Sequence, residues 1–334
     1  MNVLHRANLK KRAAMTLRHT PGFRRQVLIH SAVSFGAVFA VMLIQVLLDM
    51  VTVKKTGLSG METRAFLTTI ESTLSVIVNV LQPFWSVGIF YCAIRAVRRQ
   101  IPENRDLTQG FRRWGVVLRY HILLIGLCII LMSALTNVMM VSMMFVSPIY
   151  TVLYPMPENI DVAGLEEKMM EIMTSTSADP MEMLQIIPKE LFYYVLPLSI
   201  LFAIAACVVI VHLYYRIRFS EYILMDGQDA RARKAIFGCN RMTKGYKMEL
   251  FKLDLSFWWY YLLQMLAVSI GDIPLICQML GVNLPVSDAV ARLVCVGVSC
   301  LASILLTWSL GTRVHLTHAC AYDMLRQRME QENG

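Results

Sequence analysis

The sequence predicts an all-α integral membrane protein, a helical bundle of six transmembrane helices with both termini cytoplasmic. Three observations lead there. The 334 residues are 56% hydrophobic and only 16% charged, against roughly a quarter charged in soluble domains. Six windows offer the ~20 mostly apolar residues that a span needs at about 1.5 Å rise each. The Lys and Arg residues are sorted unevenly between successive loops, 26 of 32 falling on one side. Together these exclude a soluble enzyme, a disordered chain and a collagen-like fibre.

Residues 1–26 form a basic N-terminal segment with Arg6, Lys10, Lys11, Arg12, Arg18, Arg24 and Arg25. The membrane domain, 27–312, follows. Its first span, Val27–Val51, continues well past the h-region of a signal peptide and has no clear small-residue cleavage site, so it reads as an uncleaved anchor. The others are expected at Phe66–Ile94, Gly115–Val146, Leu191–Tyr215, Phe257–Leu280 and Ala289–Thr312, and a cytoplasmic helix at 313–334 closes the chain. Cytoplasmic loops retain Lys and Arg, so the 26 positives before span one, between spans two and three, between four and five and after six place both termini inside. The formal charge of +9 is mainly this orientation signal, with attraction to anionic lipid headgroups. No nucleic-acid-binding module accompanies it, and no nucleic-acid partner is expected.

The acidic extracytoplasmic loop, 147–190, carries eight carboxylates against Lys168 and Lys189. Helices starting at Asp161 and Asp179 would form either an interfacial loop, the favoured reading, or a lid. Methionines crowd this side, but no His or Cys lies among them, so adaptable apolar filling is preferred to a copper site. The basic cytoplasmic elbow, 216–252, contains an amphipathic helix over Ala230–Lys244, ended by Gly245 and expected to lie on the inner leaflet. Eight cysteines are scattered singly without a CxxC, which argues against a disulfide framework or zinc ribbon.

Met242-Thr243-Lys244-Gly245-Tyr246-Lys247, then Leu250-Phe251-Lys252-Leu253 and Leu255-Ser256-Phe257, resemble the signature of a bacterial multi-pass membrane family, domain of unknown function 975. Pro83, Gly88, Gly110-Phe111 and Ala319-Cys320-Ala321-Tyr322 match its pattern in order. The resemblance implies a helical protein of the bacterial cytoplasmic membrane without an established activity, and it transfers no catalytic residues.

Polar residues inside spans are the best pointers to chemistry, since an ionised one costs ~2.5–3.5 kcal/mol at mid-bilayer on insertion scales. Glu71, Ser75, Asn79, Gln82 and Ser86 fall within an arc of about 80° on span two. Tyr261, Gln264 and Asp272 share a face of span five, and Gly271-Asp272-Ile273-Pro274 predicts a kink or unwinding. Glu71, Asn79, Gln82, Tyr261, Gln264 and Asp272 are therefore candidates for an intramembrane polar or ion-handling site, against a purely structural role, the favoured reading. Cys295, Ser299, Ala302, Ser303 and Thr307 read as a close packing face on span six. His315 and His318 supply two ligands where a metal needs three or four, so an exposed helix surface is expected there. No metal and no cofactor is expected.

No P-loop, GxSxG or HExxH occurs, and nothing marks the chain as an enzyme. The favoured function is a non-catalytic envelope or membrane-assembly factor contacting lipids and membrane partner proteins. A transporter or channel component remains the alternative, and an intramembrane lipid enzyme the third.

Overall fold

The structure is a computed structural model that describes residues 5–55, 60–153, 189–227, 231–279 and 288–333. The loop helices expected at Asp161 and Asp179 lie outside these residues. Among the described residues all regular structure is helical. The chain runs through α1 (Arg6–His19), α2 (Gly22–Lys55), α3 (Gly60–Val97), the single turns α4 (Asn104–Leu107) and α5 (Gln109–Arg112), and α6 (Trp114–Leu153). It continues with α7 (Lys189–Ile217), α8 (Ser220–Asp226), α9 (Ala232–Thr243), α10 (Lys247–Leu255) and α11 (Trp258–Ser269). A 3-10 turn (Ile270–Asp272), α12 (Ile273–Met279), α13 (Asp288–Leu306), a π turn (Thr307–Gly311) and α14 (Thr312–Asn333) complete it.

Five helical stretches among the described residues are long and apolar enough to cross a membrane: Gly22–Leu47, Ser72–Val97, Trp114–Val138, Ile200–Asp226 and Val290–Glu332. The protein is thus a multi-pass helical membrane protein in contact with the bilayer. The fifth expected span is not one helix. It is α11 and α12 separated by the 3-10 turn at Ile270–Asp272, where Gly271 and Pro274 weaken the α-helical ladder.

Residues 1–123 and 215–334 form one compact unit and 124–214 a second. The second contains, among its described residues, the distal parts of α6 and α7. The core of the first unit gathers the C-terminal part of α3, α1, α8, α9, α10 and α14. In α1, Leu9, Ala13 and Leu17 recur at four-residue spacing and are buried, so the basic N-terminal segment is a packed helix against α14 and α3. The amphipathic helix α9 is also turned toward protein. Its Ala235, Cys239 and Met242 are buried and it packs on α8 and α14, so these apolar residues are covered by protein. Gly245, at φ +84°, follows it in the left-handed region that releases the chain from the helix.

Two glycines fix how α4 and α5 meet α3. A Cβ on Gly88 would collide with the carbonyl oxygen of Leu107, and one on Gly110 with the carbonyl oxygen of Phe84. The two backbones touch directly and reciprocally, and Phe84 and Phe111 stack beside the contact at 5.6 Å. The small-residue face of α13 is also a packing face. Ser299, Ser303 and Thr307 are buried, Ser299 Oγ donates to the Val268 carbonyl at 3.3 Å, and Gly271 lies against Ser299.

Candidate functional site

The polar stripe of α3 divides when its surroundings are considered. Ser75 and Asn79 line a cavity of about 280 Å³ with Gln45 of α2, whose remaining walls are Val38, Val41, Met42, Val78 and Val296. Gln82, four residues before Ser86, is exposed. Glu71 lies on α3, and its side chain is outside the described residues. On the other candidate face, Tyr261 and Asp272 are exposed, while Gln264 is half-buried with its Oε1 enclosed and without a hydrogen-bond partner among the described residues. Of the six candidates, Asn79 alone is among the residues lining this cavity.

The charged residues of the first unit converge elsewhere, where the helix ends and connecting helices meet. Asp254 of α10 accepts from Arg218 Nη2 at 2.6 Å through Oδ1 and from the Tyr215 hydroxyl at 2.7 Å through Oδ2. His318 Nε2 of α14 is 2.9 Å from the same Oδ1 and 2.8 Å from Arg218 Nη2. One ring nitrogen cannot serve both neighbours in the same way. Carrying a proton it donates to Asp254, and without one it accepts from Arg218. His318 is buried, which corrects the expectation of an exposed helix surface at His315 and His318. Burial alone would raise the Asp254 carboxyl, but the hydrogen bond from His318 and the charge of Arg218 outweigh it and hold the group below its ordinary value.

Three further carboxylates are paired in a similar way. Asp226, at the end of α8, is gripped by Arg98 of α3 at 2.6 and 2.7 Å, by Arg326 of α14, and by the Tyr322 hydroxyl at 2.8 Å. Asp323 accepts from Arg12 of α1 at 3.2 Å and from Gln327 at 3.1 Å. Asp106 accepts from Arg95 at 2.5 Å and from the backbone N–H of Glu103 at 2.7 Å, which starts α4. Asp254, Asp226 and Asp323 join segments distant in sequence, whereas Asp106 is paired within the short stretch from Arg95 to Asp106. The arrangement fastens helices together. Among the described residues no group of three or more His, Cys, Asp or Glu is placed to hold a metal ion.

A family model described as protein of unknown function (DUF975) matches residues 9–290. The chain belongs to this family. No curated protein and no solved structure matches the chain. Several of the residues that carry the DUF975 resemblance are packing points of the first unit. Gly88 and Gly110 form the reciprocal backbone contact, and Met242, Leu250 and Leu253 enter the core. Tyr246 lies 4.8 Å under the Arg328 guanidinium. Ala319, Cys320, Ala321 and Tyr322 are buried, although they lie beyond the matched residues.

Asp226, Asp254 and Asp323 of this DUF975 protein are not among the intramembrane polar candidates. Each sits in a segment rich in arginine and lysine that also holds other carboxylates, so residue order does not single it out. Gln45 shares its apolar span with other polar residues, His30, Ser31, Ser34 and Asp49, and is not singled out by residue order either.

Proposed function

We propose that this DUF975 protein is a six-span, non-catalytic membrane-assembly or envelope factor of a bacterial cytoplasmic membrane, with both termini in the cytoplasm, acting through contacts with lipids and partner proteins. The observation that carries the reading is the internal pairing of the Asp254, Asp226 and Asp323 clusters, which join α1, α3, α8, α10 and α14. Charges spent on one another in this way build a rigid platform. Orientation is supported by the Lys and Arg asymmetry, 26 of 32 on one side. The sixth span is supported by the run 258–279, long enough to cross once its 3-10 turn is included, because a local break is tolerated where neighbouring helices cover it.

A second reading, a transporter or channel component, is favoured by the cavity at Gln45, Ser75 and Asn79. One measurement separates the two. In a cysteine-free background, Ser75→Cys, Asn79→Cys, Gln82→Cys and Ser86→Cys are exposed in turn to a membrane-impermeant thiol reagent. A dry stripe is expected. Labelling that continues to mid-depth would replace the assembly reading with the transport one.

A further inference from the structure

A cleft of about 530 Å³ opens between the start of α1 and the end of α10, outside the clusters described above. Arg6 and Lys10 line it from α1, and Glu249 and Lys252 from α10 with Ser256 just beyond that helix. Three cations thus face one carboxylate, and that carboxylate is already 3.1 Å from Lys252. Lys10 is held in place: its Nζ donates to the Ser256 carbonyl at 3.1 Å and sits 4.3 Å over the Phe257 ring. Arg6 has no hydrogen-bond or ion-pair partner among the described residues and its charge acts directly on Lys10. Burial and then the Arg6 charge push the Lys10 ammonium below its ordinary value, the strain an anion between them would relieve. The first turn of α1 adds unpaired backbone N–H groups and contains no acidic residue.

The cleft floor adjoins the membrane segment. Ser256 and Phe257 lead directly into Trp258 and Trp259, both exposed, and such aromatics settle at headgroup depth. We propose that this cleft binds the phosphate of an anionic phospholipid headgroup, held by Arg6, Lys10 and Lys252. The inference deepens the reading above and rests on its placement of 258–279 in the bilayer, but not on what the protein assembles.

The test uses the full chain in nanodiscs of phosphatidylcholine, with and without phosphatidylglycerol, reading the thermal midpoint. Phosphatidylglycerol is expected to raise the midpoint of the wild-type chain. Arg6→Gln with Lys10→Gln is expected to lose that rise, while Arg233→Gln, an exposed cation on α9 outside the cleft, keeps it. Should the double variant not fold, Arg6→Gln alone decides, since Arg6 holds nothing internally, and a reduced rise is expected. An undiminished rise in the cleft variants, or an equal loss in Arg233→Gln, would overturn the site. Inorganic phosphate in phosphatidylcholine discs distinguishes the source: a rise as large as that from phosphatidylglycerol would overturn the lipid assignment. The cysteine-accessibility result stands apart from all of these outcomes, so failure of the site and failure of the assembly reading are separately visible.

Discussion

Asp254 Oδ1 lies 2.9 Å from His318 Nε2, tying the helix that leads into the 258–279 segment to the last helix of the chain. Arg218 reaches the same oxygen, so three segments close on one carboxylate. The side chains of Arg218, Asp254 and His318 are 7%, 13% and 10% exposed. At that depth a missing partner leaves a charge with little access to water.

Asp254→Asn is therefore expected to lower stability by about 3–5 kcal/mol, the range for breaking a buried pair by removing one partner. Arg12→Gln, whose own side chain is 38% exposed in its pair with Asp323, is expected to cost about 1 kcal/mol or less. Denaturation of the detergent-solubilised chain checks both, and equal losses would contradict the ranking.

The same carboxylate sets an acid limit. Its value in the folded protein is held below the model-peptide value of 3.8, so its ionised form favours the folded state. That contribution is present above the unfolded value and disappears as pH falls through the lower, folded one. The stability difference between wild type and Asp254→Asn should be level above about pH 5 and shrink below about pH 4. Thermal midpoints measured across this window test the sign.

Gly88→Ala and Gly110→Ala should each prevent α4 and α5 from seating on α3, because the opposing atoms are backbone carbonyls that cannot rotate away. A loss of about 1–3 kcal/mol or more is expected. Gly36→Ala, where a Cβ meets nothing within 4 Å, should be neutral or stabilising by up to about 1 kcal/mol. Comparative thermal melts of the purified variants separate steric from propensity effects.

Gly311→Ala offers a milder collision. The new Cβ would lie 2.8 Å from the Tyr260 hydroxyl, the far end of a side chain. A loss of about 1–3 kcal/mol is expected, most of it recovered in Gly311→Ala with Tyr260→Phe. A double-mutant cycle reads the recovery as a coupling term.

Cys239 should resist alkylation in the folded chain. Burial pushes its thiol up to about 12, against the opposing backbone hydrogen bonds from Phe219 and Ser220, and the thiolate is the reactive form. Mass spectrometry after N-ethylmaleimide treatment should find Cys239 unmodified natively and modified after denaturation.

Much of the architecture was legible in residue order because its causes are local. Apolar runs of bilayer length mark the helices, and Gly271 with Pro274 marks the break between α11 and α12. Gly245 ends α9, and the spacing of Ser299, Ser303 and Thr307 marks a packing face. The periodicity of α9 was equally plain, but periodicity says only that an apolar face will be covered. It does not say whether lipid or protein covers it, and here α8 and α14 do.

The sequence by itself thus determined a helical, multi-pass membrane class, and it supplied the charge asymmetry from which orientation is inferred. Tertiary structure alone decided which arginine meets which aspartate. Arg12 and Asp323 are 311 residues apart, and Tyr322 and Asp226 are 96 apart. Such partners are chosen by how helix ends converge, and a carboxylate in a basic segment looks the same in sequence whether solvated or buried. The intramembrane candidates followed the same logic in reverse. Asn79 joined Gln45 and Ser75 at a cavity because α2 and α3 pack there, whereas Tyr261 and Asp272 stayed exposed because sharing a face does not supply the neighbouring helix that would enclose it.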